Sequence, residues 1–302
     1  MKSRITQVMF GTAVLLFAQL AMAETGDKSA EDPLSNSQKK EPEVTQNNRM
    51  KVLLGSKSLW SGQLNFTYLG SSISHPFYAL APNPGNQVPP PLVTLSGIVS
   101  ARYRLDDKTT LGLGTGLTTQ TPLQGPKNST IADPNVDIAH FFTLGPLQDR
   151  LDFLLTLWTN SQYNRDYGYR FGATALNELF YVTNFGLTAG LAIQLDYNFF
   201  DTSKQYDTSQ QIQYDFFFSP YFEYQLSSKV NLRSVINFGA LHNVNLGGKF
   251  AFYTPSISQT FGVGIIASNS LFIYPFIQFF PLSGNVTTNT ILIGANTIIN
   301  LF

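Results

Sequence analysis

The chain has 302 residues, a formal net charge of +0, no cysteine, 14% aromatic and 13% charged side chains. The balanced charge excludes the basic footprint of a nucleic-acid-binding protein, and without cysteine there is neither a disulfide framework nor an acylated cysteine anchor. Charged residues lie well below the roughly one quarter usual in soluble domains, and no later run reaches the about 18 apolar residues of a membrane helix. That leaves two all-β solutions: a sandwich with a large aromatic core, or a barrel whose apolar face meets lipid.

The N-terminus carries two positive charges in "MKSR", then the apolar run "ITQVMFGTAVLLFAQL", then the small residues "AMA" at Ala21 to Ala23. This is the tripartite pattern of a secretory signal peptide spanning 1–23 and cleaved before Glu24. Residues 24–58 begin "ETGDKSAEDPLSNSQKKEPEV" and hold little to bury, which predicts a disordered lead. From 59 to 302 one repetitive pattern continues with no second shift in composition, which predicts one β domain.

Period-two alternation predicts about twelve strands within that domain: 60–69, 92–105, 110–119, 134–144, 151–160, 171–181, 186–199, 212–226, 230–241, 252–267, 271–280 and 289–302. The connections after even-numbered strands are short, among them "DDKT", "GPLQDR", "SSK" and "SNS"; those after odd-numbered strands are longer, the first being 70–91. Alternating short and long connections are expected of a closed antiparallel up-and-down transmembrane β-barrel, with short periplasmic turns and longer outside loops. An even count also returns both termini to the periplasmic side.

The segment "IQYDFFFSPYFEYQ" shows why lipid is the expected covering. Phe216, Phe218, Phe222 and Tyr224 share one face, while Asp215, Ser219 and Glu223 share the other. Open strand edges are not tolerated in hydrocarbon, so a sheet of such segments must close. Tyr68, Tyr103, Tyr197, Phe199 and Tyr224, near strand ends, suit interfacial girdles.

The signal pattern, the alternating segments, the turn lengths and the final strand "TNTILIGANTIINLF" together resemble the bacterial outer-membrane β-barrel superfamily over about residues 60–302. The resemblance implies an outer-membrane location, lipid and the barrel-assembly machinery as partners, and Phe302 as the terminal aromatic of the assembly signal. Here the apolar row Ile291, Ile293, Ala295, Ile299, Leu301 is one residue out of phase with Phe302.

Function is expected on the inward rows. Pairing across "SSK" sets Glu223 opposite Arg233, an ion pair inside the barrel. Arg102 and Arg104 point inward because Val99, Ala101, Tyr103 and Leu105 take the outward row, and Gly112, Gly114 and Gly116 of the next strand leave them room. Asp137, Asp152, Gln194, Asp196 and Asp215 also fall inward. Two readings stay open: a polar path with a basic stripe facing acidic groups, or charges that pair off and plug the barrel, since twelve strands lie between filled eight-stranded and open sixteen-stranded barrels.

No catalytic constellation is visible. His75 and His242 are expected in outside loops and His140 in the lipid-facing row between Ile138 and Phe142, where position 142 carries no serine. No His, Cys, Asp or Glu group has metal-ligand spacing, and no cofactor is expected. The expected function is a narrow passive channel for small polar solutes. The alternatives are a structural or surface-interaction barrel working through its outside loops, and an outer-membrane hydrolase.

Overall fold

A strand with one apolar and one polar face satisfies all its backbone groups in lipid only within a closed sheet. The computed structural model shows that closure. It describes residues 58–83, 91–159, 161–201, 203, 206–208, 211–243, 251–252, 257–268, 270–282 and 286–301; the expected leader, the expected lead before Ser58 and Phe302 lie outside the described residues. The strands are β1 (Trp60–Ser72), β2 (Thr94–Arg104), β3 (Thr109–Gln120), β4 (Asn128–Leu144), β5 (Leu147–Leu157), β6 (Tyr169–Val182), β7 (Leu187–Phe200), β8 (Ile212–Gln225), β9 (Val230–Asn243), β10 (Ala251–Phe252), β11 (Ser258–Ser268), β12 (Leu271–Phe279) and β13 (Leu292–Asn300). A short helix, α1 (Ser161–Tyr167), lies between β5 and β6.

All pairings are antiparallel, β13 returns to pair with β1, and β8 pairs with β9. The two-residue β10 pairs with β9 beyond the reach of β11, so the ring has twelve staves. Apart from β10, the strands are 9 to 17 residues long, enough for the roughly 9–11 residues a tilted membrane strand needs.

The expected alternation of connections holds, with the turns at 105–108, 145–146, 183–186, 226–229 and 269–270 all short. Several boundaries differ from the sequence reading, among them the start of β11 at Ser258 rather than 252, and two of the differences have a visible local cause. β4 starts at Asn128 rather than 134, because Asp133 forms a bulge (φ 60°) beyond which the ladder to β3 resumes, Gln120 opposite Asn128. The bulge is tied to the end of β5: Asp133 N–H donates to Thr159 Oγ1 at 2.7 Å, and Thr159 N–H donates to Asp133 Oδ1 at 2.9 Å. The turn expected at 145–150 is only Gly145-Pro146, with Gly145 at φ 61° and Leu144 paired to Leu147. Tight hairpin turns require that left-handed backbone.

On most staves one face is apolar and open to the surroundings. Leu113, Ile131, Leu155, Leu195, Phe216, Phe222, Tyr224 and Phe261 are all exposed. An apolar belt of that extent is far beyond what a soluble monomer exposes and is the lipid-facing band of a membrane barrel.

Candidate functional site: the inner face of the barrel

Side chains three strands apart can meet only through the barrel interior, and several do. Arg233 of β9 stands opposite Glu223 of β8 and donates to its Oε1. The same guanidinium lies 3.9 Å from Glu178 of β6. Small residues on β7 make this possible: Ala192 is the register partner of Glu178, and Gly190 is that of Tyr221. A Cβ at position 190 would fall 2.1 Å from Tyr221 Cζ, so the Tyr221 ring lies over the glycine, with the Arg233 guanidinium 4.3 Å from the ring centre. Asn231 adds a hydrogen bond of 3.1 Å to the other oxygen of Glu223. Buried charges persist when each is paired and hydrogen-bonded; Glu223, at 3% exposure, meets both conditions, and Glu178, at 2%, is paired with the same guanidinium.

A second group continues around the same level. Arg102 of β2 is opposite Gly112 of β3, which is opposite Asp137 of β4. A Cβ on Gly112 would sit 2.0 Å from Asp137 Oδ1, so the glycine is where the carboxylate passes to reach Arg102 at 3.4 Å. Arg150 of β5 is bidentate on Asp152, stands opposite Glu178 and lies 5.7 Å from the Phe141 ring centre. The four groups Arg102, Asp137, Asp152 and Arg150 carry balanced charge. Arg104, two places nearer the turn, is half-buried opposite Thr110.

A third group lies nearer the long-loop end. Asp196 of β7 faces Asp215 of β8; Thr174 donates to Asp196, and Gln194 donates to its other oxygen at 2.6 Å.

Around the ion pairs sits an apolar layer that does not follow from the inward polar rows. Phe141, Phe180, Tyr221, Phe272, Tyr274 and Ile298 form one buried cluster. They belong to β4, β6, β8, β12 and β13, all near the short-turn ends, so they constrict the barrel there. The sequence reading missed this layer and also missed Arg150 and Glu178. Arg150 was placed in a turn that proved two residues long; Glu178 shares its parity with Phe180 and was detectable on that basis. Above the layer lies a cavity of about 230 Å³, with Arg233 and Tyr274 in its lining.

The histidines stand apart from these groups. His140 is exposed on the outward face, 2.9 Å from Thr109 Oγ1 and stacked on Phe142. His75 lies in the connection after β1. His242 is not in a loop, as its sequence context suggested, but within β9, buried and stacked on Tyr214 at 4.4 Å.

A closed, antiparallel, twelve-stave barrel with an apolar outer belt and a polar, constricted interior is the fold of an outer-membrane β-barrel. No protein-family profile matches the chain, and comparison with curated proteins gives no match. Among solved structures it is similar to an outer-membrane channel from Pseudomonas putida, with TM-score 0.51 at 11% identity, covering 82% of this chain and 98% of that one. The NanC porin (TM-score 0.45, 10% identity, 80% and 100% covered) and Salmonella typhi OmpF (0.39, 7%, 80% and 97%) also align.

Proposed function

We propose that the protein is a narrow passive channel of an outer membrane, open to small polar solutes. The observation that carries this is the inner face, where ion pairs, amides and hydroxyls replace the apolar packing of a dry core. In this reading Arg102, Arg104, Asp137, Asp152, Gln194, Asp196, Asp215, Glu223 and Arg233 line the path, and the layer around Tyr221 is its narrowest level. The fold shared with the Pseudomonas putida protein supports it, since that protein is an outer membrane channel. The leader directs export, lipid covers the outer belt, and both the polar lead and the C-terminus lie on the periplasmic side, where Phe302 is read by the assembly machinery. We assign the barrel no catalytic role. The test is planar-bilayer recording of the refolded protein. Discrete current steps are expected, and a folded barrel that carries no current would refute the channel.

One observation favours a second reading, a structural barrel working through its outside loops: the aromatic layer is fully buried, with Phe180 at 0% exposure. The same recording separates the two, because a permanently plugged barrel conducts only when that layer is cut back.

A further inference from the structure

We infer that the cavity above the aromatic layer is a binding subsite for a neutral, polyhydroxylated solute the size of one sugar ring. This inference rests on the channel reading, and it assigns that channel a class of solute.

The arrangement follows from strand order. β12 runs between β11 and β13, with β9 and β1 beyond them. The inward residues of β12 are Phe272, Tyr274 and Phe276, so an aromatic strip forms the middle of the site. Phe276 occupies the space above Gly294, where a Cβ would lie 2.4 Å from its Cζ, and the Tyr274 and Phe276 rings are nearly parallel, 27° apart with centres at 5.4 Å. Two near-parallel rings held against glycine backbone make a platform for the C–H face of a saturated ring.

Both flanks of the strip carry uncharged polar groups, and the β9 flank adds Arg233. On one side Asn296 of β13 donates to Asn65 Oδ1 at 3.2 Å and to Thr67 Oγ1 at 3.0 Å. That leaves the Asn65 amide N–H groups, the Asn296 carbonyl oxygen and the Thr67 hydroxyl hydrogen without a hydrogen bond to another described residue. Donor and acceptor therefore stand side by side, as vicinal hydroxyls require. On the other side Asn237 of β9 accepts from Ser219 Oγ at 3.0 Å and donates to Ser258 Oγ at 3.3 Å, and Thr260 of β11 donates to Val235 O at 3.5 Å, so this flank offers the second amide hydrogen of Asn237 and the remaining oxygen lone pairs.

Charge decides between a neutral and an anionic solute. The one cation in the lining, Arg233, is held by Glu223 and faces Glu178, so the local sum of the three groups is negative. The volume of about 230 Å³ lies below the roughly 300–1,000 Å³ of pockets for drug-sized ligands. A monosaccharide fits those limits; an anion meets the local negative charge, and a flat aromatic leaves the amide flanks unused.

The test uses the full barrel refolded in detergent micelles and checked for heat-modifiable migration in SDS. Binding of D-glucose, D-gluconate and cyclohexanol is measured by calorimetry and saturation-transfer NMR, and D-glucose is also added during bilayer recording. Saturable D-glucose binding is expected, with weaker binding of gluconate and cyclohexanol. Asn296→Leu should weaken glucose binding about tenfold, on the order of one or two net hydrogen bonds; Thr67→Val, close to isosteric, gives the same direction if the first variant does not fold. Absence of saturable glucose binding, equal binding by both variants, or tighter binding of gluconate overturns the subsite. A barrel that conducts but does not bind glucose refutes the subsite and leaves the channel intact. One that binds glucose but never conducts upholds the subsite and refutes the channel.

Discussion

Glu178 and Arg233 meet across the barrel interior, 3.9 Å apart, although β7 and β8 lie between their strands. With Glu223 they form a buried triad in which a single cation holds two carboxylates. Arg233→Ala would remove the cation that the two buried acids share, and breaking such a pair costs about 3–5 kcal/mol. The expected outcome is a lower temperature for the shift from folded to unfolded migration in SDS. Glu223→Gln should cost less, because Glu178 remains to face the guanidinium.

The Arg102–Asp137 pair gives a selectivity test with opposite signs. The cluster with Asp152 and Arg150 is balanced, so Arg102→Ala leaves it net negative and Asp137→Asn leaves it net positive. Reversal potentials in a salt gradient should move towards cations in the first and towards anions in the second. Unchanged potentials in both would show that ions do not pass this level.

The layer around Tyr221 should set the width. Tyr221→Ala and Phe180→Ala are expected to raise single-channel conductance, at a stability cost of about 3–5 kcal/mol for emptying a packed aromatic site. Gly190→Val tests the same point from beneath, since a Cβ at 190 already falls 2.1 Å from the Tyr221 ring and must push it off its seat beside Arg233. Its conductance should change in step with Tyr221→Ala.

Acid should loosen one of the long connections by a defined route. Asp201, just past β7, accepts hydrogen bonds from Ser203 N–H at 2.8 Å, from Tyr206 at 3.0 Å and from Arg170. Ser203 first, and then Arg170, hold its carboxyl well below the ordinary value of 3.8. A carboxylate depressed by folding contributes fully above its unfolded value and loses that contribution as pH falls through the folded one. Amide protection relative to the intrinsic exchange rate in the described part of 201–211 should therefore be unchanged between about pH 7 and about pH 5 and fall only below 3.8. Asp201→Asn should remove that acid step.

Orientation and the absence of a histidine mechanism are tested together. Tags placed at 123–126 or 206–208 should be reachable from outside the cell, and tags at 227–229 should not. His140→Ala should leave folding and conductance nearly unchanged, within about 0.5 kcal/mol for an exposed substitution. Loss of a measurable hydrolytic activity in that variant would place chemistry on the outer face.

Strand number, the two faces of the alternating segments and the register of single hairpins were legible in the sequence. Period-two alternation assigns a face, and a short turn pins the pairing of the two strands it joins; Glu223 opposite Arg233 and Arg102 opposite Gly112 both followed from this. Helix α1, the extension of β4 past the bulge at Asp133 and the place of His242 within β9 did not, because loop and strand-end geometry depends on contacts made after closure. The tertiary structure alone decided which inward side chains meet. Contacts such as Glu178 with Arg233, and the gathering of Phe141, Phe180, Tyr221, Phe272, Tyr274 and Ile298 from five strands, depend on the stagger and tilt that close the ring. Those quantities belong to all twelve staves together, so no local stretch of sequence encodes them.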